Sequence, residues 1–369
     1  MKKKLFLLLT SFLVVINMYP QYKNCEIKID NWTYLVVDES YSGNPYASNN
    51  EVYVVKLWLD QNVKDVIIPE TVKYDANGFT YHVVGIEDKA FANKSWIESI
   101  SIHKKIRKIG WNVFEGCTSL SKIYYDATTL NSVSDGRNSA FYSVSEQITF
   151  FEIGEHTEEI PEFLCYCMNN VKTIIIPQNV HYIGENAFKG SGIETIVWNA
   201  QTCEDEVWYD GRSIDSSKTP FWNLRQYITS ISFGDKVKEL PAGLFYNLDN
   251  ITEFTLPSSL KTIGPMTFSN MEKLTFVTCE ATEPPSCKSS SFSMMDIKNI
   301  TLYVPSESIE KYKSAYVWKD FGRIIPIGGT NVMDTPIKQK TKKVIHNGQL
   351  LIIHEGKTYN MIGNEIKAK

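Results

Sequence analysis

Four apolar residues, Ile231, Phe254, Val277 and Ile300, follow one another at intervals of 23 residues, and the residues around them repeat as well. Leu240 and Ile263 are 23 apart, and so are Phe245 and Phe268. The stretch Ile251–Phe268, ITEFTLPSSLKTIGPMTF, is the clearest copy: an apolar strand, a proline stop, a short linker, an Ile-Gly pair and a closing Phe. This period constrains the chain more than its composition does, because a single unit of this size cannot bury its apolar face alone and has to stack on its neighbours.

The array opens with Val66, Ile67, Ile68 and Pro69, and after the inserted stretch YDANGFTYH it becomes regular, Ile86 to Ile109 and Phe91 to Phe114 both spanning 23. Strand openers then run Ile100, Ile123, Phe151, Ile174, Ile196, Ile231, Phe254, Val277 and Ile300. Gaps of 28 before Phe151 and 35 before Ile231 mark insertions after Tyr125 and Trp198. These insertions belong to a second period, since Gly154 and Gly234, Pro161 and Pro241, and Phe188 and Phe268 are each 80 apart. SAFYSVSEQITFFEIGEHTEEIP recurs as TPFWNLRQYITSISFGDKVKELP, so a multi-repeat unit has been duplicated together with its loop.

Within a unit, alternate strand residues point inward, the proline (Pro69, Pro177, Pro257, Pro305) stops the ladder because it lacks an N–H, and the Gly of Ile-Gly allows a tight backbone. A period between about 20 and 29 residues marks a leucine-rich-repeat solenoid. The expected fold is therefore a right-handed solenoid of parallel β-strands and short turns, with little helix, over residues 64–325. Residues 21–63 fall outside the register. WTYLVVD and VYVVKLWL predict a β-rich N-terminal cap there, which an end coil needs to shield its apolar face.

Lys2, Lys3 and Lys4 precede an apolar run from Leu5 to about Met18, the pattern of a signal peptide over residues 1–20. The run is short for a membrane span and no second one follows. The formal charge is −4, and removal of the three lysines makes it more negative, so neither nucleic acid nor an anionic membrane is an expected partner. The seven cysteines are scattered and form no disulfide framework or zinc spacing; Cys117 and Cys165 occupy inward repeat positions.

The motifs IEDKAF (86–91), KIGWNVFEGCTSLSKI (108–123), TIIIPQNVHYIGENAF (173–188) and TEFTLPSSLKTIGPMTF (252–268) resemble the BspA-like leucine-rich repeats of secreted and surface-exposed bacterial proteins. Residues 283–324 look like the final coil and terminal helix of such arrays. The resemblance implies adhesion to host matrix or cell-surface proteins or glycans, with no catalysis and no cofactor. A linker follows at 326–343, then a small β tail at 344–369 that resembles sorting segments of the type IX (Por) secretion route. That likeness implies the outer surface of a Gram-negative bacterium.

No G-x-S-x-G, Walker A, H-E-x-x-H or Rossmann pattern is present, and no enzyme is expected. Glu155, His156, Glu158 and Glu159 fill a linker slot and read as solvated. His103, beside Lys104, Lys105, Arg107 and Lys108, takes a strand-end place held elsewhere by proline and reads as a solvated turn, with an anionic contact as the alternative. The best candidate surface is the outward strand face, expected to run roughly 43 Å as a flat ladder at about 4.8 Å per strand. Most outward positions are Ser or Thr; Tyr124, Phe150, Ile175 and Val197 interrupt them on consecutive coils, and a contiguous apolar patch often marks an interface. Phe141 and Phe221 are expected to pack on the coil. Trp208 and Tyr209 have no counterpart in the other loop copy and are the freer to meet a partner, with packing of the loop on the core as the alternative. The alternative function is a structural surface-layer or coat component without a specific ligand.

Overall fold

The computed structural model describes residues 26–37, 51–57, 63–76, 78–128, 135–205 and 208–328, with the backbone of four C-terminal strands, Thr341–His346, Gln349–His354, Lys357–Tyr359 and Glu365–Ile366. The signal-peptide stretch, Cys25 and residues 329–340 of the expected linker lie outside the described residues. The four C-terminal strands pair antiparallel in sequence order. The described chain is rich in strands, and its α-helix is the single segment Ile309–Ser314.

Four-residue strands form at the β-branched, alternating stretches, and two-residue strands such as Glu159–Ile160, Tyr182–Ile183 and Thr262–Ile263 make shorter parallel ladders of their own. Within a sheet, neighbouring repeats pair these strands in parallel: Ile100 faces Ile123, Ile123 faces Phe151, and Phe254 faces Val277. The expected unbroken ladder is instead three hydrogen-bonded sheets. The first holds Asp65–Ile67, Ser99–Ile102, Lys122–Tyr125 and Phe150–Ile153. The second holds Thr173–Ile176, Thr195–Trp198 and Ser230–Phe233, and the third holds Glu253–Leu256, Phe276–Cys279, Thr301–Val304 and Arg323–Pro326. The two breaks follow Phe150–Ile153 and Ser230–Phe233, the same point in each copy of the 80-residue unit.

The sheet order is not parallel throughout. Glu26–Ile29, Trp32–Val37 and Glu51–Leu57 pair antiparallel, and Glu51–Leu57 then runs parallel to Phe79–Ile86. The latter strand also pairs antiparallel with Thr71–Tyr74 and parallel with Lys108–Ile109, so one sheet joins the N-terminal strands to the repeats.

Behind the strands runs a column of phenylalanines, one from most repeats. Ring centroids lie 5.5 Å apart for Phe91–Phe114, 5.6 Å for Phe114–Phe141, 5.5 Å for Phe188–Phe221 and 5.8 Å for Phe245–Phe268. Trp32 closes the first ring edge-on at 6.0 Å, and Trp318 and Phe321 close the last, Phe292. Both inserted loops feed this column, because Phe141 and Phe221 are buried in it, as their spacing requires. Cys165 takes the place of one Phe and is fully buried; Cys117, also buried, donates its S–H to the Phe91 carbonyl at 3.0 Å. The six described cysteines are free thiols.

The Ile-Gly glycines mark where neighbouring repeats touch. A Cβ added at Gly264 would lie 2.6 Å from the backbone nitrogen of Ala242, and at Gly184 it would lie 2.5 Å from that of Glu162. Backbone cannot swing aside as a side chain does, so Gly264→Ala is expected to push two repeats apart and cost about 1–3 kcal/mol in urea unfolding.

Candidate binding surface on the strand face

Because side chains alternate along a strand, each repeat offers two outward positions, and parallel pairing aligns them in two rows. One row runs Ser101, Tyr124, Glu152 in the first sheet, Ile175, Val197, Ser232 in the second and Thr255, Thr278, Tyr303 in the third. The other runs Ser99, Lys122, Phe150, then Thr173, Thr195, Ser230, then Glu253, Phe276, Thr301. Tyr124 and Phe150 therefore occupy different rows, with Glu152 opposite Tyr124 and Lys122 opposite Phe150. They still touch on the diagonal, ring centroids 5.5 Å apart and tilted by 53°. Tyr124 is exposed at 38% and Phe150 is half-buried.

The remaining members of the expected patch separate. Ile175 is half-buried, but Val197 is only 4% exposed, set on the central strand of its sheet between Ile175 and Ser232. A second diagonal aromatic pair, Phe276 and Tyr303 at 6.0 Å, lies on the third sheet. Its signal in the sequence is an aromatic residue at an outward position where the other repeats carry Ser or Thr.

Of the two readings of the loop, Trp208 follows packing on the core and is not free to meet a partner. It is 2% exposed, and its indole N–H donates to the Ala242 carbonyl at 2.6 Å, while the Asp205 carboxylate accepts the Ala242 N–H at 2.8 Å. These two bonds staple the loop onto the next repeat. Tyr209 is half-buried and bridges antiparallel to Ile214, across a turn in which the Asp210 carboxylate accepts the N–H groups of Arg212 and Ser213. An unmatched tryptophan has an indole N–H that is costly to leave unpaired when buried; repeat comparison alone does not register that demand.

A concavity of about 310 Å³ opens beside Tyr124, lined also by Asp126, Glu152, Glu155 and His156. Asp126 organises it, accepting the His156 backbone N–H at 2.9 Å and hydrogen bonding to Nδ1 at 2.8 Å. Partial burial, then the charges of Asp126 and Glu155, push the Glu152 carboxyl above the usual carboxylate range. The arrangement sets an aromatic pair beside a cluster of carboxylates in which Asp126 is paired with His156, and this suits contact with a cationic or amphipathic group of a partner. Among the described residues no three His, Cys, Asp or Glu side chains are grouped to hold a metal ion, and no helix is long and apolar enough to cross a membrane.

A family model described as the BspA type leucine rich repeat region matches residues 84–214 and 217–316, in six copies. No curated protein matches the chain. Similar solved structures include a leucine rich cell surface protein from Faecalibacterium prausnitzii, at 16% identity and TM-score 0.26 over 83% of this chain and 96% of that one. A leucine-rich repeat protein from Bacteroides ovatus aligns at 17% identity and TM-score 0.32 over 81% and 76%, and one from T. pallidum at 16% and 0.35 over 68% and 91%.

Proposed function

The chain belongs to the BspA-type leucine-rich repeat family, and from that premise we infer that it is a secreted or surface-displayed binding protein with no catalytic role. Its repeats form a right-handed solenoid, a rigid scaffold on which outward side chains and loops meet host matrix or cell-surface proteins or glycans. The tail beyond residue 344 serves as a sorting segment that carries the protein to the outer surface of a Gram-negative cell. The observation that carries the binding role is the Tyr124–Phe150 pair, aromatic and accessible on a strand face whose other outward positions are mostly Ser and Thr. Glu152 and Asp126 beside it favour a partner surface with basic side chains. Aromatic anchors of this kind supply a large share of binding energy where they are desolvated in a complex.

The test is binding to immobilised extracellular-matrix proteins, wild type against the triple variant Tyr124→Ala, Phe150→Ala, Ile175→Ala. Loss of two anchors is expected to weaken binding by at least about tenfold. Equal binding by both removes this patch from the interface. Failure of the wild type to bind any matrix protein favours the structural surface-layer role.

A further inference from the structure

A second and larger concavity, about 490 Å³, is lined by Glu51, His82, Lys104, Lys105, Arg107 and Thr128 among others. We propose that it is a binding site for sulfated glycan chains, which it holds through Lys104 and Lys105. Its basic wall comes from the turn His103–Lys108, HKKIRK, in a chain whose formal net charge is −4. A run of this kind is a common signature of heparin-type contact.

The turn is built to present those cations. Ile106 is fully buried, which sends Lys104, Lys105 and Arg107 outward. His103 pins the turn as a neutral ring: Nδ1 accepts the Lys105 N–H at 3.2 Å, and Nε2 donates to the Pro69 carbonyl at 3.1 Å. Burial lowers its basicity and keeps it in that form.

The opposing charges are unequally held, firmly at Arg107, whose partner Glu51 is buried, and loosely at Lys105. Arg107 pairs with Glu51 at 2.6 Å and Lys105 with Glu70 at 3.4 Å. The Lys105 pair is exposed, and pairs of that kind contribute little, so exchange of Glu70 for a sulfate costs little. Lys104 has, among the described residues, the His156 Nε2 at 3.4 Å and no carboxylate partner. With two carboxylates already facing the cations, the lone carboxylate of a peptide gains little here. A polymer bearing several sulfates gains at every lysine it reaches, through release of its condensed counterions. No Phe, Tyr or Trp lines the concavity and His82 is its one ring, so it lacks the run of aromatic side chains on which single-stranded nucleic acid stacks successive bases.

Heparin-affinity chromatography tests the assignment. The wild-type protein is expected to be retained at low salt despite its net negative charge. Lys104→Ala and Lys105→Ala are expected to elute at lower salt, each reducing the slope of log affinity against log salt by about one. The control Lys236→Ala, Lys238→Ala, several repeats away, is expected to elute with the wild type, as is Tyr124→Ala, Phe150→Ala; this separates the site from the strand-face patch. Unchanged melting temperatures show that the variants fold. Flow-through of the wild type at low salt, or wild-type elution of the Lys104→Ala, Lys105→Ala double variant, overturns the proposal. Equal retention on a polyglutamate resin overturns it in favour of an acidic peptide.

Discussion

Replacement of Phe268 by alanine is expected to destabilise the repeats by about 3–5 kcal/mol in urea unfolding, the usual cost of emptying an aromatic site that its surroundings cannot refill. Phe268 is fully buried and meets Phe245 at 5.8 Å, Phe292 at 5.3 Å and Phe254 at 4.4 Å, so it links three repeats at once. Collapse into the cavity would require neighbouring repeats to approach, and the contacts at Gly264 already hold their backbones as close as sterics permit. Phe268→Leu, which keeps most of the volume, is expected to recover much of the loss. A cost below about 1 kcal/mol for the alanine variant would mean that the column is not a continuous core.

Trp208→Ala is expected to cost a similar amount, about 3 kcal/mol, although the residue lies in a loop. The variant loses a buried indole and leaves the Ala242 carbonyl without the N–H that now reaches it at 2.6 Å. Because the loop is stapled locally, hydrogen exchange should rise first at the Ala242 amide, which Asp205 now holds. Tyr209→Ala, half-buried beside it, should cost less than about 1 kcal/mol. The reverse order of the two variants would show that Trp208, and not Tyr209, is the exposed member of the pair.

These two residues separate what periodicity reveals from what it hides. Phe268 is announced by its recurrence, since Phe91, Phe114, Phe188, Phe245 and Phe268 stand in the same place in their units. Even the loop residues Phe141 and Phe221 are legible, because they precede their strand openers by equal distances and so inherit a core position. Trp208 has no such partner, and a residue without a repeat equivalent carries no register from which burial can be read. The candidate surface was legible in the same partial way. Tyr124 is outward as its position demands, whereas the accessibility of Val197 depended on its neighbours in adjacent strands.

The sequence by itself determined the repeat length, the inward Phe and Ile positions, the prolines that end strands and the glycines where repeats touch. Each of these is a local demand on one short unit, repeated until it becomes visible. The tertiary structure alone decided that the strand face divides into three sheets, that Phe150 meets Tyr124 across a diagonal, and that Trp208 is an anchor rather than a free contact. It also decided that the turn His103–Lys108 faces a concavity shared with Glu51 and Thr128. The physical reason is that these outcomes join groups distant in the chain, whose pairing depends on which backbones and side chains arrive beside one another, and no single repeat encodes its neighbours' differences.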